Sequence, residues 1–182
     1  MRAFLALPLP DPIVTDLERL QQSIPCGRLV PAENLHLTLV FLDERSETEL
    51  EEMHFALETF RAPALELRVN GLDIFGAQIP TSLHATIAPN PSLNTLHQRL
   101  RAALHGAGLV LERSRFRPHI TLARFSNPLS IDQTAKLGRF LQARADLALP
   151  AFKATGFTLF ESLRTKDGPV YEALADYPLS GA

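Results

Sequence analysis

Two short stretches of the chain share one pattern of apolar and polar positions. In the first, residues 34–40, His36 and Thr38 are separated and flanked by apolar residues, and in the second, residues 118–123, His119 and Thr121 are placed in the same way. Such alternation is typical of a β-strand with one buried face. Because side chains at i and i+2 of a strand point the same way, each strand is predicted to present an imidazole beside a hydroxyl.

The periodicity elsewhere predicts strands and helices in alternation. Strands are predicted at residues 2–7, 34–42, 65–75 with a break at Gly71, 82–88, 109–111, 118–123, 151–160 and 170–174. Helices are predicted from Asp11, acting as the N-cap, from Pro91, and from two capping boxes, Ser46-x-x-Glu49 and Ser130-x-x-Gln133. Residues 25–33 are predicted to form a loop, and residues 166–168 a turn.

The histidine–threonine pattern belongs to a longer repeat. The two histidines lie 83 residues apart, the two capping serines 84, and the glycines of the next strands, Gly71 and Gly156, 85. The following strands, at residues 83–85 and 171–173, match at an offset of 88. Because these offsets differ by only a few residues, they indicate a duplicated unit with pseudo-twofold symmetry. Equivalent strands should then face each other across a central cleft, which brings two imidazoles and two hydroxyls into one site.

Composition narrows the class of protein. The chain has 182 residues, 46% of them hydrophobic, and a net charge of −2, so it lacks the basic field that attracts long nucleic acid. The single cysteine, Cys26, excludes an internal disulfide and suits a reducing cytoplasm. Residues 1–8 are apolar for too short a run to be a signal peptide. We expect a cytoplasmic protein, a monomer, without a membrane partner.

Two histidines facing one small group can supply acid and base chemistry. Histidine titrates near pH ~6.5, so at neutral pH one ring can accept a proton while the other donates one. In-line displacement at phosphorus needs both functions. The hydroxyls of Thr38 and Thr121 can donate hydrogen bonds to the non-bridging phosphate oxygens. This chemistry needs no metal and no cofactor, and we expect neither.

A structural role for the same residues is the alternative. A single His-x-Thr in an apolar strand usually has no function, but two copies at matching positions of a repeat favour a shared site. A purely structural role would require four buried polar side chains with every donor and acceptor satisfied. His84 lies on a predicted strand outside this pattern, and the sequence leaves its role open.

Arginines and aromatic residues near the motifs are candidates for substrate binding. The guanidinium group recognises phosphate with a planar fork, which favours Arg117 and Arg124 beside the second motif and Arg28 before the first. Strict alternation would point Arg124 away from His119 unless a β-bulge intervenes. A solvated basic loop is the alternative for these arginines. Aromatic residues can stack on an unpaired base, and the candidates are Phe41, Phe116, Phe125 and Tyr171.

Residues 31–42 and 116–124 resemble the two signature segments of the two-histidine (2H) phosphoesterases. More narrowly, they are similar to the RNA 2′,3′-cyclic phosphodiesterases, also described as 2′-5′ RNA ligases. The resemblance extends to the opening strand at residues 2–7 and to residues 157–162 with Tyr171. The chain departs from the family near His84, where members commonly carry a tryptophan, because it contains no tryptophan.

The resemblance implies an α+β fold that is bilobal and pseudo-twofold duplicated, with two antiparallel sheets facing a central cleft and helices outside. It implies one domain over residues 1–182 made of two interleaved lobes, with motif 1 around residues 34–42 and motif 2 around residues 116–124. His36 and His119 would be the catalytic pair, and Thr38 and Thr121 would hold the phosphate. We favour His119 as the base and His36 as the acid, although the pair is nearly symmetric.

The implied reaction opens a 2′,3′-cyclic phosphate, on RNA ends such as tRNA fragments or on nucleotides, to a 2′-phosphate. The family also joins RNA ends through a 2′-5′ bond. Two other hypotheses remain open: a non-catalytic module that binds a phosphorylated RNA end, and a 2H enzyme acting on another small cyclic phosphate.

Overall fold

Ten strands and four helices form in the part of the chain that the computed structural model describes, residues 1–166 and 168–180. The strands are β1 Arg2–Pro8, β2 Arg28–Leu29, β3 His36–Glu44, β4 Leu65–Leu67, β5 Val69–Phe75, β6 Ser82–Ile87, β7 His119–Arg124, β8 Phe152–Ala154, β9 Gly156–Thr165 and β10 Gly168–Pro178. The helices are α1 Asp11–Gln21, α2 Glu47–Glu58, α3 Pro91–Gly106 and α4 Ile131–Ala143.

The strands form two four-stranded antiparallel sheets and one small pair. The first sheet has the order β10-β9-β1-β3, the second has the order β2-β7-β6-β5, and β4 pairs with β8. The two His-x-Thr strands, β3 and β7, belong to different sheets and contact each other. The predicted α+β class with two antiparallel sheets is therefore confirmed, and the motif strands meet where the sheets face each other.

The topology corrects one part of the predicted repeat. Residues 83–85 were matched with residues 171–173, but β6 lies directly beside β7, whereas β10 is an outer strand separated from β3 by β9 and β1. The strand beside β3 is β1, so β1 is the counterpart of β6. The helices agree, because α1, which follows β1, packs on β7, and α3, which follows β6, packs on β3. This match has a sequence offset of 80 residues, both from Arg2 to Ser82 and from Asp11 to Pro91, close to the 83 residues between the two histidines.

Local signals explain where the helices begin. Both predicted capping boxes are present, with Ser46 and Glu49 exchanging hydrogen bonds at α2, and Ser130 and Gln133 doing so at α4. The prediction for α1 was wrong by one residue. Pro10 occupies the N-cap and Asp11 lies in the first turn, where its carboxylate interacts favourably with the positive end of the helix dipole.

Several predicted boundaries differ from the structure. Residues 25–33 contain β2 and the start of a 3-10 turn, Ala32–Asn34, rather than only a loop. Residues 109–111 form no strand, and the predicted strand at residues 151–160 is divided between β8 and β9. Within the predicted turn at residues 166–168, Asp167 lies outside the described residues. A two-residue strand such as β2 carries no periodicity of its own and forms only because β7 offers a pairing edge.

The core is apolar, and its few polar side chains have structural tasks. Buried Gln21, at the end of α1, donates Nε2–H bonds to the carbonyls of Val30 (2.8 Å) and Leu122 (3.0 Å). These bonds fix the short strand β2 against β7. Among the described residues, no helix is long and apolar enough to cross a bilayer.

His84 is the most unusual core residue, because it is only 1% exposed. Its Nδ1 atom is buried without a hydrogen-bond partner among the described residues. Burial, reinforced by the charge of His119, lowers the pKa of His84 from its ordinary value of 6.5 to about 4. The ring is therefore neutral at pH 7, and protonating it costs the folded state free energy.

Replacing His84 with Phe should make the stability of the protein less sensitive to acid. Between pH 6.5 and 4 the unfolded chain binds a proton at this residue and the folded chain does not, so stability falls as the pH falls. A pKa lowered from 6.5 to about 4 corresponds to about 3 kcal/mol of unfolding free energy. Urea unfolding at pH 7.5 and pH 4.5 measures this loss in the wild type and in His84→Phe.

The matched control is His105→Phe, because His105 is exposed on α3. We expect this variant to lose as much stability on acidification as the wild type. Equal losses in His84→Phe and the wild type would contradict the assignment of His84 as a neutral core imidazole.

Candidate active site

Each His-x-Thr strand contains a β-bulge at the same place. In β3, Thr38 pairs with Ala6 and Val40 pairs with Leu5, so Leu39 has no partner across β1. In β7, likewise, Leu122 has no partner across β6. Both bulged residues follow the motif histidine by three positions.

The bulges change which side chains lie on the same face as the motif histidines. A bulge inserts one extra residue, so the alternation of faces is shifted beyond it. Two consecutive residues are buried at each bulge, and the fifth residue after each histidine, Phe41 or Arg124, is exposed. The sequence left open whether a β-bulge lies between His119 and Arg124, and the structure contains one, at Leu122. Arg124 does not point away from the site, as strict alternation would require, and its charge acts on both His36 and His119.

The two motif histidines are held by equivalent hydrogen bonds. Nδ1 of His36 lies 2.7 Å from the carbonyl oxygen of Asn34, and Nδ1 of His119 lies 2.7 Å from the carbonyl oxygen of Arg117. A carbonyl can only accept, so each Nδ1 carries the hydrogen and donates it. In the neutral ring Nε2 is then a free proton acceptor. The Nε2 atom of His36 accepts a hydrogen bond from the Thr38 hydroxyl at 2.9 Å.

Different surroundings enclose the two rings. His36 packs at a tilt against Phe4, with ring centroids 4.9 Å apart, and edge-on against Tyr171 at 5.2 Å. His119 packs edge-on against Phe75 at 4.7 Å and lies 4.9 Å from the ring of His84. The surroundings of His36 are therefore aromatic, whereas those of His119 include a second imidazole.

Both motif histidines are less basic than free imidazole. Burial lowers the pKa of His36 to about 4, against the opposing effect of the Asn34 carbonyl, and the charges of Arg124 and His119 lower it further. Burial also lowers the pKa of His119, less strongly, with Arg117 and Arg124 adding to the effect. Both rings are consequently neutral at pH 7 in the free protein, and an anion beside them would restore their affinity for a proton.

A cleft of about 430 Å³ opens beside the motif strands. Thr38 and His119, one from each motif, line it together with Phe41, whose side chain is 61% exposed. Since Thr38 is hydrogen-bonded to His36, both motifs border one volume. The remaining charged side chains of the lining are mostly basic: Arg2, Arg101, Arg115 and Arg117, against Asp43 and Glu112.

The other candidate substrate residues lie around the same centre. Arg117 is exposed on the cleft wall, where it pairs with Asp73 at 3.4 Å and its guanidinium lies 4.7 Å from the centre of the Phe75 ring. A smaller cavity of about 60 Å³ is lined by Arg28, Arg124 and Tyr171. The structure therefore places Arg117, Arg124, Phe41 and Tyr171 beside the motif histidines, and Arg28 beside Arg124 and Tyr171.

Two predicted base-stacking residues have different environments. Phe125 is 8% exposed and belongs to the core, so its prediction as a stacking residue was wrong. Its ring packs on Gly27, where a side chain would overlap it. Phe116 lines the cleft but already stacks face to face on His97, with ring centroids 3.9 Å apart.

Sequence reasoning missed the residues that support the two histidines. Phe75 packs on His119, and the Phe160 ring lies 6.5 Å from that of His36. Each stands four residues after one of the matched glycines, Gly71 and Gly156, so the repeat itself was the signal that could have identified them. His84 and Asp73, a cross-strand pair, carried no such signal. Among the described residues, no group of three or more His, Cys, Asp or Glu side chains is arranged to hold a metal ion.

Comparison with curated proteins finds relatives over nearly the whole chain. A protein of Thermus thermophilus named RNA 2′,3′-cyclic phosphodiesterase is 31% identical over 194 aligned positions, covering 100% of this chain and 91% of the relative. A protein of Methanocaldococcus jannaschii with the same name is 28% identical, covering 97% of this chain and 100% of the relative.

Solved structures show the same fold. The protein TT0787 of Thermus thermophilus superposes with a TM-score of 0.81 at 26% identity, covering 100% of this chain and 99% of that one. E. coli LigT in its apo form gives a TM-score of 0.74 at 25% identity, with 98% and 97% covered. The family model of the 2′-5′ RNA ligase superfamily matches residues 9–165, a span that includes both motifs. With paired motifs, facing sheets and a full-length match, the chain belongs to the 2′-5′ RNA ligase superfamily.

Proposed function

We propose that this protein hydrolyses 2′,3′-cyclic phosphate ends of RNA or of nucleotides to 2′-phosphates. The observation that carries the proposal is the equivalence of His36 and His119. Both rings have the same tautomer, fixed by a carbonyl two residues earlier, and they stand on strands that contact each other. The relatives named RNA 2′,3′-cyclic phosphodiesterase support the substrate class.

In the proposed reaction, Nε2 of His119 accepts a proton from a water molecule as its oxygen bonds to phosphorus. The bond between phosphorus and O3′ breaks, and O3′ takes the proton of Nε2–H of His36, leaving a 2′-phosphate and a 3′-hydroxyl. Among the described residues, Nε2 of His119 makes no hydrogen bond and is open to accept a proton from water, whereas Nε2 of His36 is engaged by the Thr38 hydroxyl.

The substrate itself supports the proton on His36. The cyclic phosphate is an anion, and an anion near a buried imidazole favours its charged form. In the free protein Nε2 of His36 accepts from Thr38. A protonated Nε2 can no longer accept, so the Thr38 hydroxyl becomes available to a non-bridging phosphate oxygen. Thr121, at the matching position, donates to the other oxygen, where negative charge develops.

The same geometry supports a second reaction, end joining through a 2′-5′ bond. If a 5′-hydroxyl of RNA occupies the place of the attacking water, the same proton transfers form a 2′-5′ phosphodiester. The description of the superfamily favours this candidate. RNA ends, including tRNA fragments, would be the partners. We propose that residues 1–182 act as one domain, because each motif strand supplies only half of the residues around the phosphate. We also propose that the protein is a cytoplasmic monomer.

Replacing either motif histidine with Ala should remove most of the turnover of adenosine 2′,3′-cyclic phosphate in the presence of a chelator. Each positioned proton transfer contributes about 10²–10⁴-fold, so kcat should fall by that factor in His36→Ala and in His119→Ala. His105→Ala, on the exposed surface, is the control. Binding of the nucleotide without product in the wild type would support the non-catalytic module. Faster turnover of another cyclic phosphate would redirect the assignment within the superfamily.

The pH profile should show the lowered basicity of the two rings. The profile of kcat/KM reports the free enzyme, in which the pKa values of both His36 and His119 lie below 6.5. We therefore expect a bell-shaped profile of kcat/KM whose two apparent pKa values both lie below 6.5. In the profile of kcat, both apparent pKa values should be higher, because the bound phosphate favours the imidazolium form. A kcat/KM profile whose acid limb lies at or above pH 6.5 would disagree with neutral, buried rings.

Phe41 should bind the base of the terminal nucleotide. Stacking of a base on an aromatic side chain contributes about 1–3 kcal/mol, so Phe41→Ala should raise KM for adenosine 2′,3′-cyclic phosphate by about 5- to 150-fold with a smaller change in kcat. Phe55→Ala is a matched control, since Phe55 is 66% exposed and Phe41 61%. Equal KM values in the two variants would remove Phe41 from the binding site.

A further inference from the structure

A carboxylate stands beside the exposed ring of Phe41 in the large cleft. Asp43 follows Phe41 by two residues on β3, and Leu42 between them is buried. The side chains of Phe41 and Asp43 are both exposed, and both line the 430 Å³ cleft. The Asp43 carboxylate therefore borders the same volume as the ring on which the base of the terminal nucleotide should stack.

This carboxylate has no ionic partner in the part of the chain that the structure describes. Four arginines line the same cleft, yet no cationic group lies within ion-pair distance of Asp43. A carboxylate repels phosphate and only accepts hydrogen bonds. Its place in a mostly basic cleft therefore suits the part of a nucleotide that donates hydrogen bonds, which is the base.

The backbone holds Asp43 in a conformation that few side chains adopt. Its φ of 57° is the only left-handed value among the described residues other than glycine. It accompanies a second bulge of β3, where Phe41 pairs with Phe4 and Asp43 with Ala3, so that Leu42 has no partner across β1. Glycine would take this conformation without strain, whereas a side chain costs the fold stability. A carboxylate kept at this position indicates a use for the side chain itself.

Among the four bases, guanine has the edge that matches a carboxylate. Its Watson–Crick edge presents two adjacent donors, N1–H and the N2 amino group, to the two accepting oxygens. Adenine and cytosine each present one donor beside a ring-nitrogen lone pair, and uracil presents one donor between two carbonyl oxygens. The O6 and N7 atoms of guanine accept hydrogen bonds, and arginine commonly binds them. Arg101 is an arginine of this lining, held on the wall by a 2.9 Å bond that it donates to the Glu112 carbonyl.

We propose that Asp43 selects guanine as the base of the nucleotide that carries the cyclic phosphate. With the guanine stacked on Phe41, the two carboxylate oxygens of Asp43 accept from N1–H and from the N2 amino group. This inference rests on the proposed function and makes it more specific. The preferred substrate is then an RNA end whose last nucleoside is guanosine.

The test compares the 2′,3′-cyclic phosphates of guanosine, inosine and adenosine. In the wild type, kcat/KM for guanosine should exceed that for adenosine by about 5- to 150-fold, the discrimination typical of a paired contact to a base edge. Inosine keeps N1–H but lacks the N2 amino group, so its value should lie between the two. In Asp43→Asn the amide offers one acceptor and turns a donor toward the base, so the preference for guanosine should fall below about twofold.

Two matched controls remove a carboxylate elsewhere. Glu44→Gln changes the next residue of β3, which is exposed but does not line the cleft, and Glu112→Gln changes the other carboxylate of the lining. Both variants should keep the preference for guanosine. Equal values for guanosine and adenosine in the wild type, or an undiminished preference in Asp43→Asn, would overturn the assignment, and so would a loss of the preference in Glu112→Gln.

Asp43→Gly separates recognition of the base from a role in folding. Glycine accepts the left-handed backbone, so this variant should resist urea at least as well as the wild type while losing the preference for guanosine. A preference for guanosine retained in Asp43→Gly would contradict the assignment, because the carboxylate is then absent.

A binding measurement separates this proposal from the proposed reaction. Guanosine 2′-monophosphate and adenosine 2′-monophosphate are the products, and calorimetric titration gives their Kd values without turnover. If no cyclic substrate reacts, the hydrolase assignment fails, but Asp43 still predicts that the guanosine product binds at least fivefold more tightly, and that Asp43→Asn abolishes this difference. Equal affinities in the wild type would overturn the selection of guanine independently of catalysis.

Discussion

The hydrogen bond from Nδ1–H of each motif histidine to the carbonyl two residues earlier is the interaction on which the site depends. It fixes the tautomer, so that Nε2 alone is left to exchange a proton. It also uses a backbone group that every strand offers, so the same bond can form in both copies of a duplicated unit. The backbone of the strand then sets the direction in which Nε2 points, and strand pairing in the sheet sets the position of that backbone.

Burial of these rings has a chemical consequence. Enclosure lowers the pKa values of His36 and His119, so both rings are neutral in the free protein at pH 7. Arginine side chains lie around them. A neutral site with nearby guanidinium groups is suited to an anion. In the proposed reaction, the phosphate brings the charge that lets one of the rings hold a proton. At neutral pH, a bound substrate therefore favours protonation of the ring that acts as the acid.

The two halves have become different while keeping the same central geometry. After each bulge the exposed residue is Phe41 in one strand and Arg124 in the other, an aromatic ring and a cation at equivalent positions. His36 lies against Phe4 and Tyr171, whereas the ring of His119 lies beside that of His84. In the proposed function, the aromatic ring would stack on a base and the cation would bind phosphate, so these two unlike walls suit the two parts of a nucleotide.

Patterns within a few residues of each other were readable from the sequence. The two His-x-Thr strands and the capping boxes at Ser46 and Ser130 follow from local periodicity and side-chain chemistry, and the resemblance to a known family implied the α+β class. The offset of the repeat was enough to infer that β3 and β7 face each other.

Long-range pairing decided the rest. Bulges at Leu39 and Leu122 arise from the register with β1 and β6, and they turn Phe41 and Arg124 to the exposed side of their strands. The two-residue strand β2 exists because Gln21 and β7 hold it, and the burial of His84 and Phe125 depends on neighbours far away in the chain. The sequence by itself determined which groups could do chemistry. Only the tertiary structure decided which of them face one another, because a strand's alternation is local whereas its register depends on a distant partner.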